Sequence, residues 1–152
     1  MKSYFKIKII LAFLFSVWIL FIFSEPFFFS SKIGFITYPF VKKGLNLICH
    51  QEEAKLISFF GYNSFLCTRC VGLYLGVLAG LLFSFFIHLS IKTNQKLFAA
   101  ATTLIILDIV IYDYIQLYSY NKIIAFVTGL FLGSTLFNYF WDSLTKLKES
   151  DK

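Results

Sequence analysis

The sequence predicts an all-α integral membrane bundle of four transmembrane helices, with an interfacial Cys/His-bearing loop between the first and second. Three observations carry that prediction. The chain has 152 residues, of which 59% are hydrophobic and 14% charged, and its mean hydropathy is +0.77. That is too apolar for a soluble domain of this length. Long runs with few or no formal charges are separated by short polar breaks. The 14 lysine and arginine residues stand singly or in pairs beside those runs. Membrane-flanking cations are placed in this way, so the net charge of +6 does not point to nucleic acid as a partner. The lipid bilayer is the expected partner of a single membrane domain, residues 1–152.

Residues 1–8 are short and basic, with Lys2, Lys6 and Lys8. Residues 9–24 carry no charge and span roughly 24 Å as a helix, somewhat less than the ~30 Å hydrocarbon core. Phe27, Phe28 and Phe29 extend the run into the interface. No small-x-small cleavage pattern stands near Ser24, and Glu25-Pro26 follows directly, so this reads as an uncleaved anchor and first span. Residues 25–69 form a mixed loop interrupted by Pro26, Gly34, Pro39, Gly44 and Gly61. Within it, residues 40–50 read as a short amphipathic helix at the membrane surface, with Lys42 and Lys43 toward water.

The second span is residues 70–91, with His88 near its far end as an interfacial histidine. Residues 92–96 read as a polar loop. The third span, 97–118, contains Asp108 and Asp113, and Gln116 lies just beyond them. A tight turn at 119–122 leads to the fourth span, 123–141, and a polar tail, 142–152. Four spans place both termini on one side. With the termini inside, the inner segments hold eight lysines and the outer ones six basic residues over a longer stretch. The denser side is expected to be cytoplasmic. The chain is therefore read as a multi-pass protein of the cell (inner) membrane with loop 25–69 extracytoplasmic.

All three cysteines lie between residues 49 and 70. Cys67-Thr68-Arg69-Cys70 is a C-x-x-C at the start of the second span, and residues three apart on a helical turn face the same way. Such a pair suits two ligands on one metal ion or a reversible disulfide. Cys49-His50 adds a third thiol and an imidazole, so Cys49, His50, Cys67 and Cys70 make a Cys₃His set of the kind that holds zinc. Adjacent residues seldom reach one ion together, which leaves water or Glu52 as another fourth ligand. Val71 follows Cys70, which excludes the C-x-x-C-H of a c-type haem. The redox alternative makes Cys67 and Cys70 a catalytic dithiol with Cys49 as resolving thiol, because the helix N-terminus and Arg69 both favour thiolate. The plain alternative is a structural disulfide or inert buried thiols.

Gly72, Gly76 and Gly80 recur at four-residue spacing, as do Gly129 and Gly133, and each row lets another backbone approach closely. The rows read as a packing face, of the second helix against the fourth, or against a membrane partner or second copy in a non-catalytic scaffold. Asp108 in the middle of a span is costly unless paired or protonated, which makes it a further catalytic candidate. Tyr112, one turn along, is a candidate donor to it.

Cys49-His50-Gln51, then Lys55, Gly61 and Cys67-x-x-Cys70-x-Gly72-x-Tyr74-x-Gly76, resembles the signature of the domain-of-unknown-function family twenty eighty-five, small prokaryotic multi-pass membrane proteins. Asp108 and the Thr128-Gly129 and Gly133 pattern extend the resemblance over about residues 45–135. Ile109, Tyr112 and Ala125 stand where that family tends to have Gly, Gln and Arg. The resemblance implies a membrane protein and supplies no activity.

Overall fold

The apolar runs fold as helices, and a computed structural model of the chain describes residues 2–30, 32–49, 51–59, 61–86, 91–115 and 120–150. His50, His88, Gln116 and the side chain of Asp113 lie outside the described residues. Helix α1 (Lys2–Ile22) has no Gly or Pro within it. It ends before Glu25-Pro26, where α2 (Glu25–Ser30) begins with proline in its first turn, the place a helix tolerates it. Helix α3 (Lys32–Asn46) begins well before the expected amphipathic segment at 40–50 and runs through Pro39. The Thr37 hydroxyl donates to the Ile33 and Gly34 carbonyls in the turn before that proline.

A 3₁₀ turn (Glu53–Lys55) leads into an antiparallel hairpin of β1 (Leu56–Phe59) and β2 (Tyr62–Cys67). Gly61, at the tip, has φ of +84°, a conformation that side chains disfavour. Helix α4 (Thr68–Phe83) follows β2 directly, and then come α5 (Ile91–Ile109), a π-helical stretch (Val110–Ile115) and α6 (Lys122–Ser150). The expected polar loop at 92–96 lies inside α5. There Asn94 is buried and its amide donates to the Asp142 carboxylate. The polar tail from Asp142 continues α6 through Ser150.

Among the described residues three helical stretches are long and apolar enough to cross a membrane: Phe5–Ile22, Lys92–Tyr112 and Lys122–Lys146. Helix α4 is apolar but has 16 residues, short of that length. Phe13, Leu20 and Ile123 are 68%, 72% and 74% exposed, and such apolar faces are at home in lipid rather than water.

Helix α1 runs antiparallel to α4, with Lys8 donating to the Ser84 carbonyl at one end and Trp18 against Tyr74 toward the other. Helices α4 and α6 run parallel through their glycine rows. A Cβ built on Gly72 would lie 2.3 Å from the Phe126 carbonyl oxygen, on Gly76 2.2 Å from that of Leu130, and on Gly133 2.1 Å from that of Leu73. The rows therefore interlock within one chain, as the packing reading expected, and α6 fills the face that a partner would have used. Helix α5 lies antiparallel on α6, with Phe98 stacked on Tyr139 at 5.3 Å.

Candidate functional site

The hairpin builds the cysteine site. Leu56 pairs with Cys67 in the ladder, so the end of β2 and the first turn of α4 are held above the bundle. Thr68 donates to the Lys55 carbonyl at 2.7 Å, and the Lys122 ammonium donates to the Leu56 carbonyl at 2.7 Å, which tie the hairpin to α4 and α6. Beneath it Phe65 is 3% exposed and meets Phe21, Phe28 and Tyr38 with ring centroids 5.5–5.9 Å apart. The buried Glu25 carboxylate accepts from the Tyr38 hydroxyl at 2.6 Å and from the Asn63 backbone N–H, joining α2, α3 and β2. Burial, with Glu25 as acceptor, pushes the Tyr38 hydroxyl up to about 12.

Cys49 arrives on the loop after α3 and is 5% exposed; Cys67 and Cys70 are half-buried. The three sulfurs lie within 4.8 Å of one another, and Cys67 Sγ to Cys70 Sγ is 3.4 Å. All three are free thiols. Tetrahedral zinc with Zn–S bonds of ~2.3 Å sets its sulfurs roughly 3.8 Å apart, so the cluster has the dimensions of one face of such a site. The backbone N–H of Cys67 donates to Cys49 Sγ at 3.1 Å, and that of Gln51 also bonds to it. The Cys67 and Cys70 thiols donating toward Cys49, together with these amides, hold its thiol far below the usual cysteine range. The same hydrogen bond to Cys49 raises Cys67. A cation among the sulfurs would favour the ionised form of all three thiols.

Gln51 shows what the residue after His50 does. Its φ is +46°, a left-handed value uncommon outside glycine, and its side-chain amide donates to the Phe65 carbonyl at 3.0 Å. That bond fixes the turn and aims Cys49 at the C-x-x-C. Among the described residues the metal-competent group is Cys49, Cys67 and Cys70. Glu52, the other fourth-ligand candidate, is exposed and pairs with Lys55 at 2.7 Å.

Asp108 stands in the last turn of α5, two residues before the π-helical stretch, and is 8% exposed. It is paired with Arg69 at 2.5 Å, on the first turn of α4 between the two cysteines. From the sequence Arg69 reads as a thiolate-stabilising charge and Tyr112 as the donor to Asp108; the structure brings Arg69 itself to Asp108. The chain's only arginine and a carboxylate in an apolar helix were the signal for this pair. Nearby, the Lys55 ammonium lies 4.9 Å from the Tyr112 ring centroid and 5.6 Å from that of Tyr120.

The family described as predicted membrane protein (DUF2085) matches residues 49–139, which begin at Cys49 and take in the hairpin and the α4 to α6 core. An uncharacterized protein of Methanothermobacter thermautotrophicus is 36% identical over 93 residues, covering 57% of this chain and 78% of the relative. An uncharacterized protein of Methanocaldococcus jannaschii is 43% identical over 37 residues, 24% of each chain. No solved structure matches.

Proposed function

The chain belongs to the family of predicted membrane proteins DUF2085, and from that premise we propose that it is a four-span membrane protein whose Cys49, Cys67 and Cys70 bind one transition-metal ion, zinc. The observation that carries this reading is the meeting of the Cys49 sulfur, from the loop after α3, with the two sulfurs of the Cys67–Cys70 turn, all within 4.8 Å. Zinc suits them because it takes thiolates tetrahedrally and needs no redox partner. His50 or a water completes the shell. The ion pins the loop after α3 to the hairpin and to α4, so metal binding stabilises the exterior cap of the bundle. In this reading α4 is the second crossing, shorter than the others because the hairpin takes over at its outer end. The cysteine end is extracytoplasmic and the termini are cytoplasmic, as the lysine distribution favours.

The metal reading predicts how variants fail. Cys49→Ser, Cys67→Ser and Cys70→Ser should each lose the ion nearly completely, because a hydroxyl does not replace a charged thiolate, while His50→Ala should only weaken binding. Metal content of the purified variants is the measurement. The 3.4 Å approach of Cys67 to Cys70 favours a second reading, a thiol–disulfide oxidoreductase. There Cys67→Ser and Cys70→Ser abolish a redox-dependent gel shift, Cys49→Ser traps a mixed disulfide, and His50→Ala does little. Retention of metal by Cys67→Ser would remove the first reading.

Orientation has its own test. A fluorescent protein that folds only in the cytoplasm, fused after residue 152, should fluoresce, and alkaline phosphatase fused there should be inactive. The reverse pattern would invert the topology.

A further inference from the structure

Helix α3 is apolar on two opposite sides. Gly34, Tyr38, Val41 and Leu45 recur at helical spacing and form its inward side, with Gly34 and Leu45 buried. Leu45, with Tyr38 and Val41, packs into the core that also holds Phe21 and Ile22 of α1, Phe65 of β2 and Val71 of α4. Helix α3 therefore lies at the level where α1 ends and α4 begins. The outward side carries Ile33, Ile36 and Phe40, again at helical spacing, and they are 78%, 68% and 76% exposed. Leu47 and Ile48, in the turn after α3, are exposed as well. Leu20 near the end of α1 and Phe27 on α2 also point outward. The chain thus presents apolar side chains to its surroundings from the first span through α2 to the end of α3, and water is a poor medium for such a surface.

Charge narrows what covers it. Residues 26–51 contain three lysines and no Asp or Glu. Lys32 and Lys43 are exposed, and at 3.6 residues per turn they fall along one border of the Ile33, Ile36 and Phe40 stripe. A lysine in that place lays its methylenes on apolar surface and carries its ammonium to a phosphate. Lys42 is half-buried, with its ammonium 5.9 Å from the Tyr38 ring centroid. A second copy packed on this stripe about a two-fold axis would bring the same lysines together, which like charges oppose. Acyl chains bordered by anionic headgroups complement both the stripe and its border.

We propose that α3 is a lipid-binding helix: Ile33, Ile36 and Phe40 enter the boundary between acyl chains and headgroups, and Lys32 and Lys43 hold the phosphates of anionic lipid. The inserted stripe begins at Ile33, well before the 40–50 segment expected at the membrane surface, and its lysines face lipid phosphate. The metal reading of the cysteines plays no part in this.

The test uses the full chain in vesicles, with Phe40→Trp as a reporter at an exposed position. Subtracting the wild type removes the emission of Trp18 and Trp141. Lipid with brominated acyl chains should quench Phe40→Trp about as strongly as Leu20→Trp, on the exposed side of α1. Quenching by aqueous acrylamide alone would place the stripe in water. Shielding from both quenchers would place it against protein, a second copy included, and either result would overturn the proposal. The charge is tested in mixed vesicles of phosphatidylglycerol and phosphatidylcholine, with bromine on one lipid or the other. Bromine on phosphatidylglycerol should quench more. Lys32→Gln with Lys43→Gln should bring the two signals together, with roughly a fivefold loss of preference per lysine. Equal quenching by the two lipids while both lysines are present, or a preference that survives the double substitution, would overturn the proposal. Metal content at the cysteines, measured on the same samples, should not follow the lipid, so failure here stays distinct from failure of the zinc reading.

Discussion

Gly76→Leu should prevent α4 and α6 from closing and leave little folded protein in detergent. The built Cβ at this position already lies 2.2 Å from the Leu130 carbonyl oxygen and 2.9 Å from its Cα, all backbone atoms that no rotamer change can move aside. The helices would have to separate, which also strips the contacts at Gly72, Gly80, Gly129 and Gly133. Overpacking in soluble cores costs about 1–3 kcal/mol, and a clash with backbone at the centre of an interlocked seam belongs at or above the top of that range. Leu82→Gly, on the exposed side of the same helix, is the control for helix propensity alone, at about 1 kcal/mol. Size-exclusion profiles and melting temperatures compare them. Equal losses for the two would remove the glycine seam as the main contact.

Asp108→Asn should cost about 3–5 kcal/mol, because it removes the counter-charge of the Arg69 guanidinium, whose Nε has no hydrogen-bond partner among the described residues, in an apolar setting. Arg69→Met alone should be similarly damaging through the stranded carboxylate. Arg69→Met combined with Asp108→Leu should recover much of the loss, since two apolar side chains leave no charge to desolvate. Thermal unfolding of the four proteins completes the cycle. Additive losses would show that the two residues do not act as a pair.

The parts of this structure that follow from local rules were legible in the sequence. Hydropathy over windows of helix length marks α1, α5 and α6, because lipid demands an unbroken apolar run. The four-residue spacing of Gly72, Gly76 and Gly80 announced a close seam, and the seam exists. The cysteines were readable as a cluster because Cys67 and Cys70 share a turn and Cys49 is the only other thiol. What escaped depends on pairings over long sequence separations. The hairpin hides in a loop dominated by apolar residues, where Gly61 is its main local sign. Arg69 and Asp108 are 39 residues apart, and no local rule says that α5 ends beside the start of α4. Asn94 and Asp142 read as a loop residue and a tail residue for the same reason. Each looks solvated alone, whereas Asn94 is buried with its amide on the half-buried Asp142. Lys8 looked like a flanking charge, whereas it is 7% exposed and held at the end of α4.

The measurement that bears most directly on the cysteine site is the metal content of the wild-type protein, purified in detergent without chelator, beside a thiol titration of the same sample. The zinc reading predicts about one zinc ion per chain and three thiols that react only after a chelator removes it. Metal-free protein whose three thiols titrate at once, or whose Cys67 and Cys70 are already joined as a disulfide, would contradict it.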